Sequence, residues 1–485
     1  MKRSWVLAAT LGLLALAAVA SAAQTNSVGV KFAVQEVSLG AVPASASRVP
    51  PAISADSRHI AFVVLRGGKW GVCRDGVEGD PYARIEGLLF SPDGQRLAVA
   101  ARKALDRQVV VVDGAEGKEY ETLDGTSLTF SPDSRRLAFI AGPPGSARVF
   151  VVLDGKQGPD YEAIAGRGPG KPQLFFSPDS QKLAYGAGLK TPAGNPPAFE
   201  IVGEGPQRKA YPARHRAVVY GFSPDSQQLA WMDQSEARRR VVVDGKAARD
   251  YDEIGADSFR FSPDGQRTAY FARQDSKWRI VVDGQEGAQF DGLGDYAPIF
   301  SADGRRLAYV AVAGARRCVV VDGQRGKAYD DIGPKSLQFS PDGRHVAFAA
   351  VAGGRHYVVR DGKESEGYDD LKAAMLFSPD SQHLAYVAEF GGRLRFVLDG
   401  VAGQAYDGLA NRWLCFSPDS KHLAYGALQG RKLVVVVDGQ EVGDYEGNLG
   451  TLAFDGPGLL RGLATRMDQK FNLEIVRLEI ALTAP

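Results

Sequence analysis

The chain has 485 residues, 44% of them hydrophobic and 24% charged, with 58 Lys and Arg against 57 Asp and Glu. That balance excludes the basic excess of a dedicated nucleic-acid binder and the apolar poverty of a disordered protein. Three cysteines and six histidines exclude a disulfide scaffold and leave little from which to build a histidine metal centre. In chain order, Lys2 and Arg3 precede an apolar run from Trp5 to Val19, and Ala20-Ser21-Ala22 supplies the small residues a signal peptidase accepts. The run is about 15 residues, short of the ~20 a spanning helix needs. Residues 1–22 are therefore expected to be a cleavable signal peptide, cut near Ala22-Ala23. The mature chain is expected to be periplasmic or secreted, nearly neutral and without a transmembrane segment. Residues 23–50 form an N-terminal segment, and residues 51–485 a repeat array.

The repeat dominates the chain. A Ser-x-Asp-(Gly/Ser) tetrapeptide occurs ten times, at Ser54, Ser91, Ser131, Ser177, Ser223, Ser262, Ser301, Ser340, Ser378 and Ser417. Most copies continue with Leu-Ala-Tyr or Leu-Ala-Phe, then a Val-rich run ending in Asp-Gly, then an aromatic-acid pair such as Tyr329-Asp330. An eleventh, degraded copy runs from Leu452 to Glu479. Val, Ile, Tyr and Phe suit a half-buried pleated surface. Pro, Asp and Gly each suit a turn, and Asp-Gly after a Val run is a hairpin signal. Each unit therefore reads as four short antiparallel strands: A (Leu337–Phe339 in one copy), B (Arg306–Ala311), C (Cys318–Val321) and D (Ala328–Ile332). Four-stranded units in regular array are the blades of an all-β propeller, with a solenoid as the architectural alternative.

Phe90 to Ala98, Phe-Ser-Pro-Asp-Gly-Gln-Arg-Leu-Ala, resembles the WD-like propeller repeat of TolB-type periplasmic proteins. The same repeat occurs in the propellers of tricorn-type and prolyl-oligopeptidase-type peptidases. The resemblance covers about residues 50–480 and implies the fold, not the function. No segment resembles the amino-terminal domain of TolB proteins, and no Gly-x-Ser-x-Gly elbow is present. The family's strand order places A at the axis and D outermost. The last copy ends after its C strand, so Val28–Val37 is expected to supply the missing D strand and close the ring. Eleven blades exceed the usual four to eight. They form either one large ring or two packed rings, and blade number tips the expectation toward two.

In such a fold the A–B and C–D loops share one face, and the B–C and D–A loops share the other. The length insertions fall on the second face, at Ala165–Pro172 and Ala187–Pro197. Loops on a rigid scaffold commonly carry binding, which makes Arg167, Lys171, Lys190 and Asn195 candidates. Cations also collect there, among them Arg238, Arg239, Arg316 and Arg317. They form either a basic rim for an anionic ligand or partner, or cross-strand pairs, with Arg316 or Arg317 opposite Asp331 and Arg355 opposite Asp370. His59, His345, His383 and His422 share one repeat position that Arg or Gln fills elsewhere, which suits a strand surface better than a metal. The ten Ser-x-Asp turns read as structure, because a nucleophile is needed once. The cysteines read as buried free thiols. The expectation is a non-catalytic extracytoplasmic β-propeller, without cofactor or metal, that binds or scaffolds protein and does not bind nucleic acid. The alternative is a carbohydrate- or small-ligand-binding protein, or a hydrolase or lyase, with a site in the central funnel.

Overall fold

A computed structural model describes residues 31–41, 49–143, 147–165, 174–190, 198–204, 209–213, 216–235, 238–294, 297–468 and 472–483. The described residues form β-strands and turns, without a helix. The strands assemble into eleven antiparallel sheets, each ordered A-B-C-D. One repeat makes one sheet, here called a blade and numbered from the N-terminus.

Blade 7 shows how the sequence builds the unit. Strand B is Leu307–Ala313, C is Arg316–Val321 and D is Gln324–Tyr329. The C–D connection is a two-residue hairpin between Val321 and Gln324. Asp322 and Gly323 adopt φ of 51° and 81°, the paired positive angles of a type I′ turn, which Asp-Gly tolerates best. In the A–B turn the Ser301 hydroxyl donates to Asp303 Oδ1 at 2.5 Å and accepts the Arg306 N–H at 3.0 Å. The Gly304 N–H closes the turn on the Ser301 carbonyl at 2.9 Å. The recurring serine is thus a buried turn former, both of whose hydroxyl roles are used within the turn.

The expected D strand Ala328–Ile332 divides in the structure. Tyr329 ends D, whereas Asp331–Ile332 already pairs with strand B of blade 8. Strand A of blade 8 comes in two pieces, Asp331–Ile332 and Gln338–Phe339, separated by a bulge. Within it the Ser336 hydroxyl donates to the Gly333 carbonyl at 2.6 Å and accepts the Ala349 N–H at 3.0 Å. Ser258 and Ser127 do the same in blades 6 and 3.

Eleven apolar cores lie between blades rather than within them. Each joins consecutive blades, from blades 1 and 2 through to blades 10 and 11. The eleventh joins blade 11 to blade 1 through Leu39, Ile60, Phe62, Cys73, Leu463 and Ile475. The array is therefore one closed ring of eleven blades, and the expectation of two rings is corrected. No interface along the chain is left without its apolar core, so no seam exists at which a second ring could begin.

The closing strand overlaps the expected Val28–Val37 but runs from Lys31 to Ala41; residues 28–30 lie outside the described residues. Lys31–Ala41 pairs antiparallel with Leu473–Thr483, Lys31 opposite Thr483 and Val37 opposite Arg477. Ser57 and Thr451 hydroxyls meet at 2.9 Å across the same seam, and Arg58 pairs with Asp455. Eight consecutive interfaces, from 2/3 to 9/10, also contain an aromatic pair. One ring stands in or just after strand D and the other at the third position of the next strand B. Tyr329–Phe348 and Phe290–Tyr309 are examples, with centroids 5.9 and 6.2 Å apart at 77° and 81°, an edge-to-face geometry favoured by the ring quadrupoles.

Candidate functional site

The face carrying the B–C and D–A loops collects the predicted cations, and the structure shows what they touch. Arg238 pairs with Asp252 at 3.0 Å and Arg239 with Glu253 at 3.7 Å. Arg316 lies 3.9 Å from Asp330, and Arg317 lies 3.1 Å from Asp331. Arg355 pairs with Asp369 at 2.9 Å rather than with Asp370, which faces His356 at 3.5 Å. The one-residue shift arises because the acid that follows the tyrosine also reaches the next blade. Asp369 accepts the Gly391 N–H at 2.7 Å, as Asp330 accepts Gly353 and Asp291 accepts Gly314. Lys277 and the Gly314 N–H together hold the Asp291 carboxyl below its usual value. Each Tyr-Asp acid is therefore a clasp: it takes a cation from its own blade and a turn amide from the next. The sequence showed the pairs but not the second bond.

Lys190 is exposed just after strand B of blade 4, Leu183–Leu189. Arg167, Lys171 and Asn195, with most of both insertions, lie outside the described residues. The structure does not gather the described candidates into one constellation, because Arg238 and Arg239 belong to blade 5 and Arg316 and Arg317 to blade 7.

A depression of about 460 Å³ runs along the inner strands of blades 6 to 8. Ile299, Val310 and Leu337 give it an apolar floor; Arg260, Arg317 and Lys335 stand against Asp331 on its polar side. Lys335 sits in the blade 8 bulge at φ 56°, where blade 6 places Asp257 at φ 55°. Asp tolerates this left-handed region better than Lys does. Arg317, a predicted residue, thus lines this depression. Arg260 and Lys335 escaped the sequence reading because they stand in strand A and its bulge, where the repeat pattern is weakest.

The remaining suggestive groups are parts of the scaffold. His59, His345, His383 and His422 each place Nδ1 within 2.6–2.7 Å of the Asp of the Asp-Gly turn in their own blade. Among the described residues, no three His, Cys, Asp or Glu side chains converge as metal ligands would. Cys73, Cys318 and Cys415 are free thiols, and burial pushes the Cys415 thiol up to about 12.

Fold and site together define an eleven-bladed β-propeller. No family model and no curated protein matches the sequence. Solved structures that it resembles include a eukaryotic initiation factor, at 14% identity over 72% of this chain and 98% of that one, TM-score 0.37. TolB from Acinetobacter baumannii is matched at 16% identity over 52% and 64% of the two chains, TM-score 0.25. The β-propeller domain of the Trilobed protease from Pyrococcus furiosus is matched at 14% over 65% and 93%, TM-score 0.28.

Proposed function

We propose that this protein is an extracytoplasmic, non-catalytic ring that binds or scaffolds another protein through the face carrying its B–C and D–A loops. The Lys-Arg, apolar and Ala-Ser-Ala pattern of residues 2–22 supports export. The Phe-Ser-Pro-Asp-Gly repeat, resembling that of TolB-type periplasmic proteins, supports an envelope role. The observation that carries the reading is the depression between blades 6 and 8. There Arg260 and Lys335 break a surface that is otherwise a repetition of clasps. Concave, mostly apolar sites with a few polar groups are where recognition concentrates.

The test is capture from envelope extract by the mature protein and by an Arg260→Glu/Lys335→Glu variant of unchanged thermal stability. A partner held by the first and lost by the second is expected. Equal retention by both would remove the depression from the reading. Capture of nothing by the wild type would sink the binding role itself.

A further inference from the structure

Among the described residues, the outer strands of ten blades are blunted and that of blade 11 is not. Those of blades 1, 3, 5 and 8 are cut to two residues. Those of blades 2, 6, 7, 9 and 10 are broken by a register shift against strand C. Blade 4 places Pro212, which has no N–H to offer, in an outer strand of five residues. Short strands, bulges and proline are the devices that keep a free sheet edge from pairing with another. Blade 11 has none of them over the run from Lys31 to Ser38, which pairs with Thr483 to Val476 without a break. Val34, at the middle of that run, is 41% exposed.

The direction of the free backbone groups follows from the ladder. The Leu482 N–H bonds the Gly458 carbonyl, on the inner side of its strand. Successive residues of an antiparallel strand turn their backbone groups to opposite sides. Ala481 and Glu479 therefore face the closing strand, where Ala33 and Gln35 meet them. Phe32, Val34 and Glu36 turn their N–H and C=O groups outward, to the open edge.

We infer that this edge pairs with the same edge of a second copy of the chain, antiparallel about a two-fold axis at Val34, so that the blade 11 sheets of two rings join into one. The register follows from the side chains. With Val34 against its own copy, the two exposed valines cover each other, Phe32 faces Glu36, Ala33 faces Gln35 and Lys31 faces Val37. No like charges meet, and the Glu36 carboxylate is already held by Arg466 within its own blade. Phe32, Val34 and Glu36 are the residues whose backbone groups point outward, and in this register each meets another of the three. The strand is thus complementary to itself in backbone and in side chains, which is what a closed two-fold contact requires. Blade edges fan out around a ring, so the neighbouring outer strands fall away from the contact.

Sedimentation of the mature protein from micromolar to sub-millimolar concentration should show a reversible dimer. Val34→Pro removes one outward N–H and leaves the bonds to Leu473–Thr483 in place. It should keep the melting temperature and weaken the dimer at least tenfold. Val34→Lys should do the same by setting like charges face to face. Cysteines read the register. Opposed residues that exchange hydrogen bonds lie about 5.5 Å apart between Cα atoms, within the span of a disulfide. Val34→Cys should therefore give a disulfide-linked dimer on mild oxidation. Gln35→Cys, set off by two residues from its own copy, should not. A monomer throughout, or a dimer untouched by both Val34→Pro and Val34→Lys, would overturn the inference. So would cross-linking of Gln35→Cys as efficient as that of Val34→Cys. Capture of a partner at the depression does not depend on any of these outcomes.

Discussion

One position shows how far a single residue type is interchangeable in this ring. Just before strand B, blades 2, 3, 6 and 7 carry Arg96, Arg136, Arg267 and Arg306. Each reaches into the next blade and donates to two turn carbonyls, as Arg136 does to Ser180 and Gln181 at 3.2 and 3.1 Å. Each also lies over the phenylalanine that precedes that turn, Phe176 in the case of Arg136. Blades 1, 8, 9 and 10 carry His there, and each histidine bonds its own blade's aspartate. In blades 1 and 8 an arginine appears instead at the end of strand C, where blades 9 and 10 have Leu398 and Val437. Arg360 donates to the Gln382 and Ser381 carbonyls and lies over Phe377; Arg74 donates to Gln95 and lies over Phe90. The guanidinium keeps its acceptors while its backbone origin moves by one strand. Arg360→Val should therefore cost about 1–2 kcal/mol, the worth of charge-assisted hydrogen bonds with a cation–π contact. Adding His345→Arg should recover most of that. Urea unfolding midpoints of the two variants provide the measurement. A double variant no more stable than Arg360→Val would show that the two arginine positions are not equivalent.

At the scale of the element, the A–B turn repeats one small electrostatic device ten times. The aspartate accepts the serine hydroxyl and the amide two residues on, as Asp264 does from Ser262 at 2.5 Å and from Gln266 at 3.1 Å. All ten carboxyls are held below their usual value of 3.8. In Asp264 the serine is the largest cause; in Asp56 and Asp179 burial pushes upward but is outweighed by the same hydrogen bonds. A group with a depressed folded-state value adds stability that is present above its unfolded value and is lost as pH falls through the folded one. The melting temperature should therefore stay level from pH 7 to about 5 and fall steeply below about 4. Asp264→Asn should shallow that fall, because one of the ten groups no longer titrates; an unchanged acid limb would place the acid sensitivity elsewhere. This turn and the Asp-Gly hairpin were legible in the sequence because Pro, Asp and Gly act through their own backbone angles. Strand A was less legible. Its two halves flank a bulge held by a buried serine three residues after Gly255 or Gly333, and Asp331-Ile332 continues the apolar pattern of the D strand before it. Periodicity cannot show that the chain has crossed into the next sheet at Asp330. The candidate site suffered the same limit: Asp331 was visible as a partner for Arg316 or Arg317, but not the bond that Asp330 accepts from the Gly353 amide of the next blade.

For the whole molecule, strand bookkeeping was enough to foresee closure, since the last repeat lacks a D strand and the first is preceded by a spare one. The number of rings was not legible, because it depends on the angle at which buried faces pack rather than on composition. The closing strand holds the ring unevenly. Its Cα partners run from Lys31 to Ala41, yet only Leu39 is buried, at 4% exposure, whereas Val34 in the same strand is 41% exposed. Val34 lies in the regular ladder and Leu39 at the register shift near its end, but the apolar seam against Phe62 and Ile475 depends on Leu39. Truncation of a buried leucine costs about 2–5 kcal/mol, through lost transfer energy and the cavity left behind. Leu39→Ala should therefore open the 11/1 seam locally. Amide exchange should accelerate along Leu473–Thr483 and at Ile60–Val64, while blades 5 to 7 stay protected. Val34→Ala, in the same ladder, should change exchange little. Equal acceleration by both variants would mean that closure rests on the hydrogen-bonded ladder and not on the apolar seam. Uniform acceleration around the ring would mean that the eleven interfaces open as one cooperative unit rather than blade by blade.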